Sequence, residues 1–109
     1  MQTQSDKIRA LNDEFRRRPS FGSVVITPGV RNLGFALIIE CFKRVIAYTE
    51  FTPDNDPYGE GDFGSFEIEG AVVFFKIDTY DIDLEHLSPD ASDPTVTRRI
   101  LTIMLADEY

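Results

Sequence analysis

The sequence predicts an α+β fold, with a small antiparallel sheet (a hairpin plus one further strand) covered by about three helices in the order α-β-α-β-β-α. Apolar residues recur at helical spacing near both ends of the chain and again within 35–48. Three runs have the composition of strands: SVVIT at 23–27, and SFEIE and AVVFFKID on either side of Gly70. Since the chain contains no internal repeat, one α+β domain over residues 1–109 is the simplest architecture that fits.

The first element is predicted to be an amphipathic helix over residues 6–18. Ile8, Leu11 and Phe15 recur at the spacing of one helical face. Ser5 has the side chain of an N-cap, and the proline that follows the segment ends the helix.

A short strand and a central helix are predicted next. The run at 23–27 is β-branched and stops at a Pro-Gly pair, as a buried strand followed by a turn would. From Phe35 to Tyr48 the charged residues share one narrow helical face, and they are Glu40, Lys43 and Arg44. We therefore expect this helix to be covered on most of its circumference.

The second half is predicted to contain a hairpin and a last helix, separated by acidic loops. TPDNDPYGEGDFG at 52–64 is rich in proline, glycine and acids, which disfavours regular structure. The hairpin follows, with its second strand predicted to be central in the sheet. A second loop leads to Asp93-Pro94, a capping residue and a helix-starting proline. The apolar stripe of the last helix would consist of Val96, Ile100, Leu101, Met104 and Leu105.

Charge is the feature that bears most directly on function. The chain has a net charge of -8, and twelve acids fall between Asp54 and Asp93, where Lys76 is the only base. Such a field disfavours nucleic acid and acidic membrane as partners and attracts a basic protein surface, including that of a nucleic-acid-binding protein. The predicted partner-binding residues are Asp54, Asp56, Glu60, Asp62, Asp78, Tyr80, Asp81, Asp83 and Glu85.

Catalytic, metal and cofactor sites have little support in the sequence, so none is predicted. Cys41 and His86 are the only residues of their types. GEGDFG at 59–64 matches G-x-G-x-x-G but is preceded by a loop and followed by a strand, whereas the dinucleotide fingerprint needs a strand before it and a helix after it. A partial calcium-loop match from Asp54 lacks the bidentate glutamate at its last position, where Ser65 stands. No apolar run is long enough to span a bilayer, and the N-terminal segment lacks the apolar core of a signal peptide, so a cytoplasmic protein is expected.

Two alternatives to a non-enzymatic interaction protein stay open. A small metal-dependent or carboxylate-based hydrolase would have its site in the 52–64 loop, where Asp54, Asp56, Glu60 and Asp62 could hold a hard cation. Separately, a carboxylate pair acting as acid and base could be drawn from Asp78, Asp81, Asp83 and Glu85. A DNA-binding regulator would use the basic residues Arg16, Arg17, Arg18, Arg98 and Arg99.

Three strings together suggest a family: FTPDNDPYGEGDFG at 51–64, FFKIDTYD at 74–81 and SPDASDPTVTRRILTIMLADEY at 88–109. With KIRALNDEFRR near the start, they resemble a family of small uncharacterised bacterial proteins catalogued as domain of unknown function 3768, familiar from alphaproteobacteria and their mobile elements. Relatives often read DPHGEHDFG where this chain reads DPYGEGDFG, so Tyr58 and Gly61 occupy two histidine positions and the enzyme hypothesis is weakened. Small mobile-element proteins that block defence enzymes use acidic surfaces, so the resemblance implies an inhibitor or anti-defence role.

Overall fold

The computed structural model describes residues 2–109, with the side chain of Phe21 excepted. The helices are α1 (Gln4–Arg17), α2 (Pro28–Arg31) and α3 (Phe35–Ile46). The strands are β1 (Val24–Ile26), β2 (Phe63–Ile68), β3 (Ala71–Tyr80) and β4 (Arg98–Leu105). Short 3-10 turns span Phe21–Ser23, Pro94–Val96 and Ala106–Glu108. None of the described helices is long and apolar enough to cross a membrane.

The four strands form one mixed sheet in the order β1-β4-β3-β2. The α+β class is confirmed, and so are the hairpin of β2 with β3 and the interior position of β3. The hairpin turns at Glu69 and Gly70, whose φ angles of 50° and 80° are those of a two-residue turn with both residues left-handed. The sheet is not purely antiparallel, because β1 runs parallel to β4.

The predicted last helix is wrong, because residues Arg98–Leu105 form β4 at the centre of the sheet. Leu101 and Ile103 are fully buried on the face that carries the helices, and Met104 is 3% exposed on the other face. A strand between two neighbours carries apolar residues on both faces, so its period-2 signal is lost and its apolar positions can match a helical stripe by chance.

The first helix begins earlier than predicted. Thr3 is its N-cap, and Ser5 lies within the first turn. The Thr3 hydroxyl accepts from the N–H of Asp6 at 3.0 Å, while the Asp6 carboxylate accepts from the N–H of Thr3 at 3.1 Å. This reciprocal pair is a capping box.

All three helices pack on the same face of the sheet. Phe15 of α1, Val30 of α2, and Cys41 and Val45 of α3 belong to or adjoin the core that β3 and β4 line. The predicted helix at 35–48 is confirmed over Phe35–Ile46, but it is not covered on most of its circumference. A set of large apolar side chains on its outer side remains exposed, including Phe35, Ile39 and Ile46.

Candidate functional site

The face of the sheet away from the helices, called the uncovered face below, carries no α-helix, and most of its side chains are partly exposed. Residues of β3 alternate, so Val73, Phe75 and Ile77 are buried beneath the helices while the residues between them point to the other side. The strand register places cross-strand neighbours on that uncovered face, namely Phe74 with Met104, Lys76 with Thr102, Asp78 with Ile100 and Tyr80 with Arg98. This surface combines aromatic and aliphatic side chains with one acid, Asp78, and two basic residues, Lys76 and Arg98.

An aromatic cluster occupies part of the uncovered face. The ring centroids of Phe63 and Phe74 are 5.0 Å apart, and the Tyr109 ring lies 5.9 Å from each of them in edge-on geometry. Tyr109 is 77% exposed. Edge-to-face rings of this kind hold each other in place and present a rigid apolar patch to a partner.

Acidic side chains gather where β2 begins. Burial, followed by repulsion from Asp62 and Asp56, raises the pKa of Glu60. Burial also raises the pKa of Asp62, with repulsion from Asp56 and Asp78 adding to it. The backbone carbonyl of Asp62 accepts from the N–H of Ile77 at 2.8 Å, which fixes the start of β2 against β3. Asp78 is different, because Lys76 Nζ lies 2.8 Å from its Oδ2 and that hydrogen bond raises the pKa of Lys76.

The predicted acids after β3 form a tight turn at the same end of the sheet. Asp81 accepts from the N–H of Glu85 at 3.0 Å, and this hydrogen bond lowers the pKa of its carboxyl. The Asp81 N–H donates to the carbonyl of His86 at 2.8 Å, which closes the turn. Asp83 and Glu85 are exposed. Because the turn continues from Tyr80, its acids extend the charge of Asp78 along the strand direction.

Asp56 is not available for binding, contrary to its predicted role. Its side chain is 4% exposed. Its carboxylate accepts from the N–H groups of Glu60 at 3.0 Å and of Gly61 at 3.0 to 3.1 Å, which makes it an internal brace of the loop. Asp54 is exposed in the same loop, and the structure does not bring it into the cluster of Glu60, Asp62 and Asp78.

The arginines proposed for a DNA-binding regulator do not form one surface. Arg16 is 1% exposed, and its guanidinium donates to the carbonyls of Val45 at 3.1 Å and Tyr48 at 3.1 Å. Arg99 Nε donates to Oδ1 of the buried Asn12 at 2.7 Å, on the helix side of the sheet. Arg98 lies on the opposite, uncovered face. Two of the five arginines therefore connect elements instead of facing solvent.

Nucleophilic and metal chemistry find no assembled site in the described part of the chain. Cys41 is fully buried, and burial raises the pKa of its thiol, which keeps it protonated and unreactive. Among residues 2–109 no group of three or more metal-ligating side chains is close enough to hold an ion. His86 is exposed, with Nδ1 2.8 Å from the carbonyl of Glu85.

The aromatic part of the site was not among the sequence predictions. The predicted loop at 52–64 contains Phe63, and no role is predicted for Tyr109. Phe63 and Phe66 stand three residues apart with Gly64 and Ser65 between them, so the start of β2 lacks the period-2 alternation that would have predicted a strand there.

Comparison with known proteins gives one match. The family model for a protein of unknown function (DUF3768) matches residues 26–108. No curated protein and no solved structure matches the chain. The matched range starts at the end of β1 and includes α3, the hairpin, β4 and every predicted partner-binding residue. The chain belongs to the DUF3768 family, as its sequence motifs indicated.

Proposed function

We propose that the protein is a non-enzymatic interaction module that docks on a basic surface of a cytoplasmic partner protein through the uncovered face of its sheet and the acidic end of that face. One observation carries this proposal. Glu60 and Asp62 are held partly buried, Asp62 lies close enough to Glu60 to add to the raised pKa of that carboxyl, and no described basic side chain lies within ion-pair distance of either carboxylate. Carboxylates kept in an unfavourable place without a cation are characteristic of functional sites.

The aromatic cluster supports docking on a protein in particular. Protein interfaces combine aromatic anchors at the centre with a polar or charged rim. Here Phe63, Phe74 and Tyr109 form the apolar part. In this proposal the acids of the loop and the turn supply the charged part. A partner with an apolar contact point beside arginines or lysines would match both parts.

The charge points to a nucleic-acid-binding protein as the partner class. A surface that attracts nucleic acid is basic, and the acids between Asp54 and Asp93 would compete for it. Docking there would exclude nucleic acid, so the protein would act as an inhibitor of that partner. Association would be fast at low salt and slower at high salt, because long-range attraction dominates the encounter rate.

The two alternatives receive less support from the geometry. A hydrolase in the 52–64 loop would need free carboxylates, yet the carboxylate of Asp56 already accepts hydrogen bonds from backbone N–H groups of that loop. A DNA-binding regulator would need its arginines on one surface, yet Arg16 and Arg99 are engaged internally.

Surface-binding kinetics test the proposal. A partner captured from host extract is purified, and its association with the wild-type chain is compared with that of the variant Asp83→Lys with Glu85→Lys. Both residues are exposed and form no side-chain ion pair, so the fold is preserved and association is expected to slow by about tenfold or more.

The matched control is Glu14→Lys with Glu50→Lys, which makes the same change of charge at exposed positions away from the uncovered face. It is expected to retain most of the wild-type rate, and a polyanion such as heparin should compete with the wild-type protein. Equal slowing of both variants, or an association rate insensitive to salt, would contradict the proposal.

A further inference from the structure

An apolar groove runs along the β1 edge of the sheet, on the side that carries the helices. Its walls are Pro19, Val24, Ile26, Phe42 and Ile46. None of these walls is charged, in a chain of which 28% of the residues are charged. The groove is remote in sequence from the acidic stretch and belongs to no part of the proposed docking face.

An apolar stripe on α3 continues this groove. Phe35, Ile39, Phe42 and Ile46 follow one another at intervals of four, three and four residues, which places them on one side of the helix. Phe35 is 79% exposed, Ile39 39% and Ile46 40%. Contiguous exposed apolar patches on a folded protein mark interaction sites.

The two edges of the sheet differ in their protection. On the outer edge of β2, the Tyr48 hydroxyl accepts from the N–H of Ser65 at 3.3 Å, and Arg44 donates to the carbonyl of Glu67 at 3.3 Å. These side chains occupy backbone groups that another strand would need. The chain thus protects one edge by a standard device against edge-to-edge pairing.

The outer edge of β1 has no such protection. Ile26 lies opposite Ile103, and the carbonyl of Ile103 accepts from the N–H of Thr27 at 3.2 Å. Because backbone groups alternate in direction along a strand, the N–H and C=O groups of Val24 and Ile26 point away from β4. The N–H of Val24 closes the 3-10 turn Phe21–Ser23, whereas no hydrogen bond from a described residue is found to the C=O of Val24 or to either backbone group of Ile26. The strand is free of proline and of charge.

We infer that β1 pairs with β1 of a second copy of this chain, antiparallel and across a two-fold axis that passes beside Val25. In this register the N–H of Ile26 of each copy donates to the C=O of Val24 of the other copy. The two Val25 residues face each other as a non-hydrogen-bonded pair. The grooves of both copies then meet on the helix side of the joint, and their apolar walls lie toward each other.

Charge and symmetry favour a second copy over a foreign peptide. A two-fold contact requires a self-complementary surface. An uncharged groove and a Val-Val-Ile edge satisfy that requirement, whereas the acidic surfaces of a chain with net charge -8 would repel one another. Pairing through β1 keeps all twelve acids of 54–93 out of the contact. The exposed stripe supplies apolar area beyond the short strand edge, which a stable dimer needs.

The inferred dimer extends the proposed function without depending on it. Pairing through β1 joins two four-stranded sheets into one continuous sheet and leaves the uncovered faces of both copies on the same side. A partner could then be engaged twice.

Sedimentation equilibrium of the full chain tests the inference. The wild-type protein should be a concentration-dependent dimer. Val25→Lys places two like charges opposite each other at the axis and should raise the dissociation constant by more than about tenfold. Val72→Lys is the matched control, because Val72 is 43% exposed against 48% for Val25 and lies on β3, away from the β1 edge. A wild-type protein that stays monomeric at every concentration, or equal effects of the two variants, would overturn the inference.

Disulfide trapping provides a second measurement. Directly opposed residues of a non-hydrogen-bonded pair have Cα atoms ~4.5 Å apart, within the range that a disulfide spans. Val25→Cys should therefore oxidise to a covalent dimer that forms faster than with Val72→Cys, and the fully buried Cys41 does not interfere. Equal rates of cross-linking for the two variants would contradict the register.

Discussion

Both carboxylate oxygens of Asp56 accept from the backbone N–H of Gly61, at 3.1 and 3.0 Å. Oδ1 also accepts from the N–H of Glu60 at 3.0 Å, and Nη1 of Arg9 lies 3.6 Å from Oδ2. One buried acid therefore closes the loop between α3 and β2 and ties it to α1. The path that it imposes leads the chain past α1, where Asn12 Nδ2 donates to the carbonyl of Glu60 at 2.9 Å, to the start of β2.

Replacing Asp56 should lower the stability of the fold. Asp56→Ala leaves two backbone donors without their acceptor and removes the charge that faces Arg9, so we expect the free energy of unfolding to fall by about 2 to 4 kcal/mol. Asp54→Ala, two residues earlier and exposed, should change it by less than about 0.5 kcal/mol. Urea unfolding followed by circular dichroism measures both values. Similar stabilities of the two variants would show that the brace does not stabilise the loop.

Two glycines in the same loop allow the stability cost of backbone strain to be measured separately from the cost of steric crowding. Gly61 has a φ of 64°, and a Cβ placed on it would lie 2.6 Å from Cδ of Arg9. Gly59 has a φ of 68°, and a Cβ there would meet only open space. Gly59→Ala should cost about 1 kcal/mol from strain alone, and Gly61→Ala should cost roughly 1 to 2 kcal/mol more because Arg9 must move.

Thermal or urea unfolding of both alanine variants checks this difference. An additional Arg9→Ala substitution removes the side chain that crowds the site, so it should bring the cost of Gly61→Ala close to that of Gly59→Ala. If the cost of Gly61→Ala is the same with and without Arg9, crowding is not its cause.

The sequence predicted the first strand, the hairpin and the central position of β3, because each is bounded by local turn signals. It failed at β4 for a physical reason. The strand lies between β1 and β3, so it needs Leu101 and Ile103 toward the helices and Met104 toward the other face. Apolar residues on both faces remove the alternation on which strand prediction depends. The proline after Asp93 starts a short 3-10 turn instead of an α-helix.

The candidate site was predictable in composition and not in geometry. Charge patterning identified the acids between Asp54 and Asp93. Sequence spacing did not distinguish Asp56 from Asp62. The side chain of Asp56 is turned inward, whereas that of Asp62 lies close to Asp78, which is distant in the sequence. This proximity depends on the register of β2 against β3, which the two-residue turn at Glu69 and Gly70 sets.

Truncations in the core should follow the observed burial. Ile103 is fully buried in the central strand, so Ile103→Ala should lower the free energy of unfolding by about 3 to 5 kcal/mol. Ile39 was expected to be covered, but it is 39% exposed, and Ile39→Ala should cost less than about 1.5 kcal/mol. Chemical unfolding at low protein concentration measures the monomer and excludes any contribution from self-association. Equal costs would mean that the exposed stripe is buried in the monomer after all.

The last prediction concerns the pH dependence caused by the crowded acids. The pKa values of Glu60 and Asp62 are raised in the folded protein, chiefly by burial and then by neighbouring carboxylates. The folded state therefore holds their protons more tightly than the unfolded state does. Linkage then requires that these two groups destabilise the fold at neutral pH and that this cost disappears as pH falls through their raised pKa values.

The variant Glu60→Gln with Asp62→Asn should accordingly be more stable than the wild-type protein at neutral pH, and the difference should shrink as the solution becomes mildly acidic. The carboxyls of Asp81, Asp90 and Glu108 have lowered pKa values, so the stability they contribute is lost as pH falls. That opposite trend is common to both proteins and cancels in their difference. Urea unfolding at a series of pH values gives this difference directly. A difference that is constant with pH, or a variant that is less stable at neutral pH, would show that the two carboxylates are not held at a cost, and the proposed docking site would lose its main support.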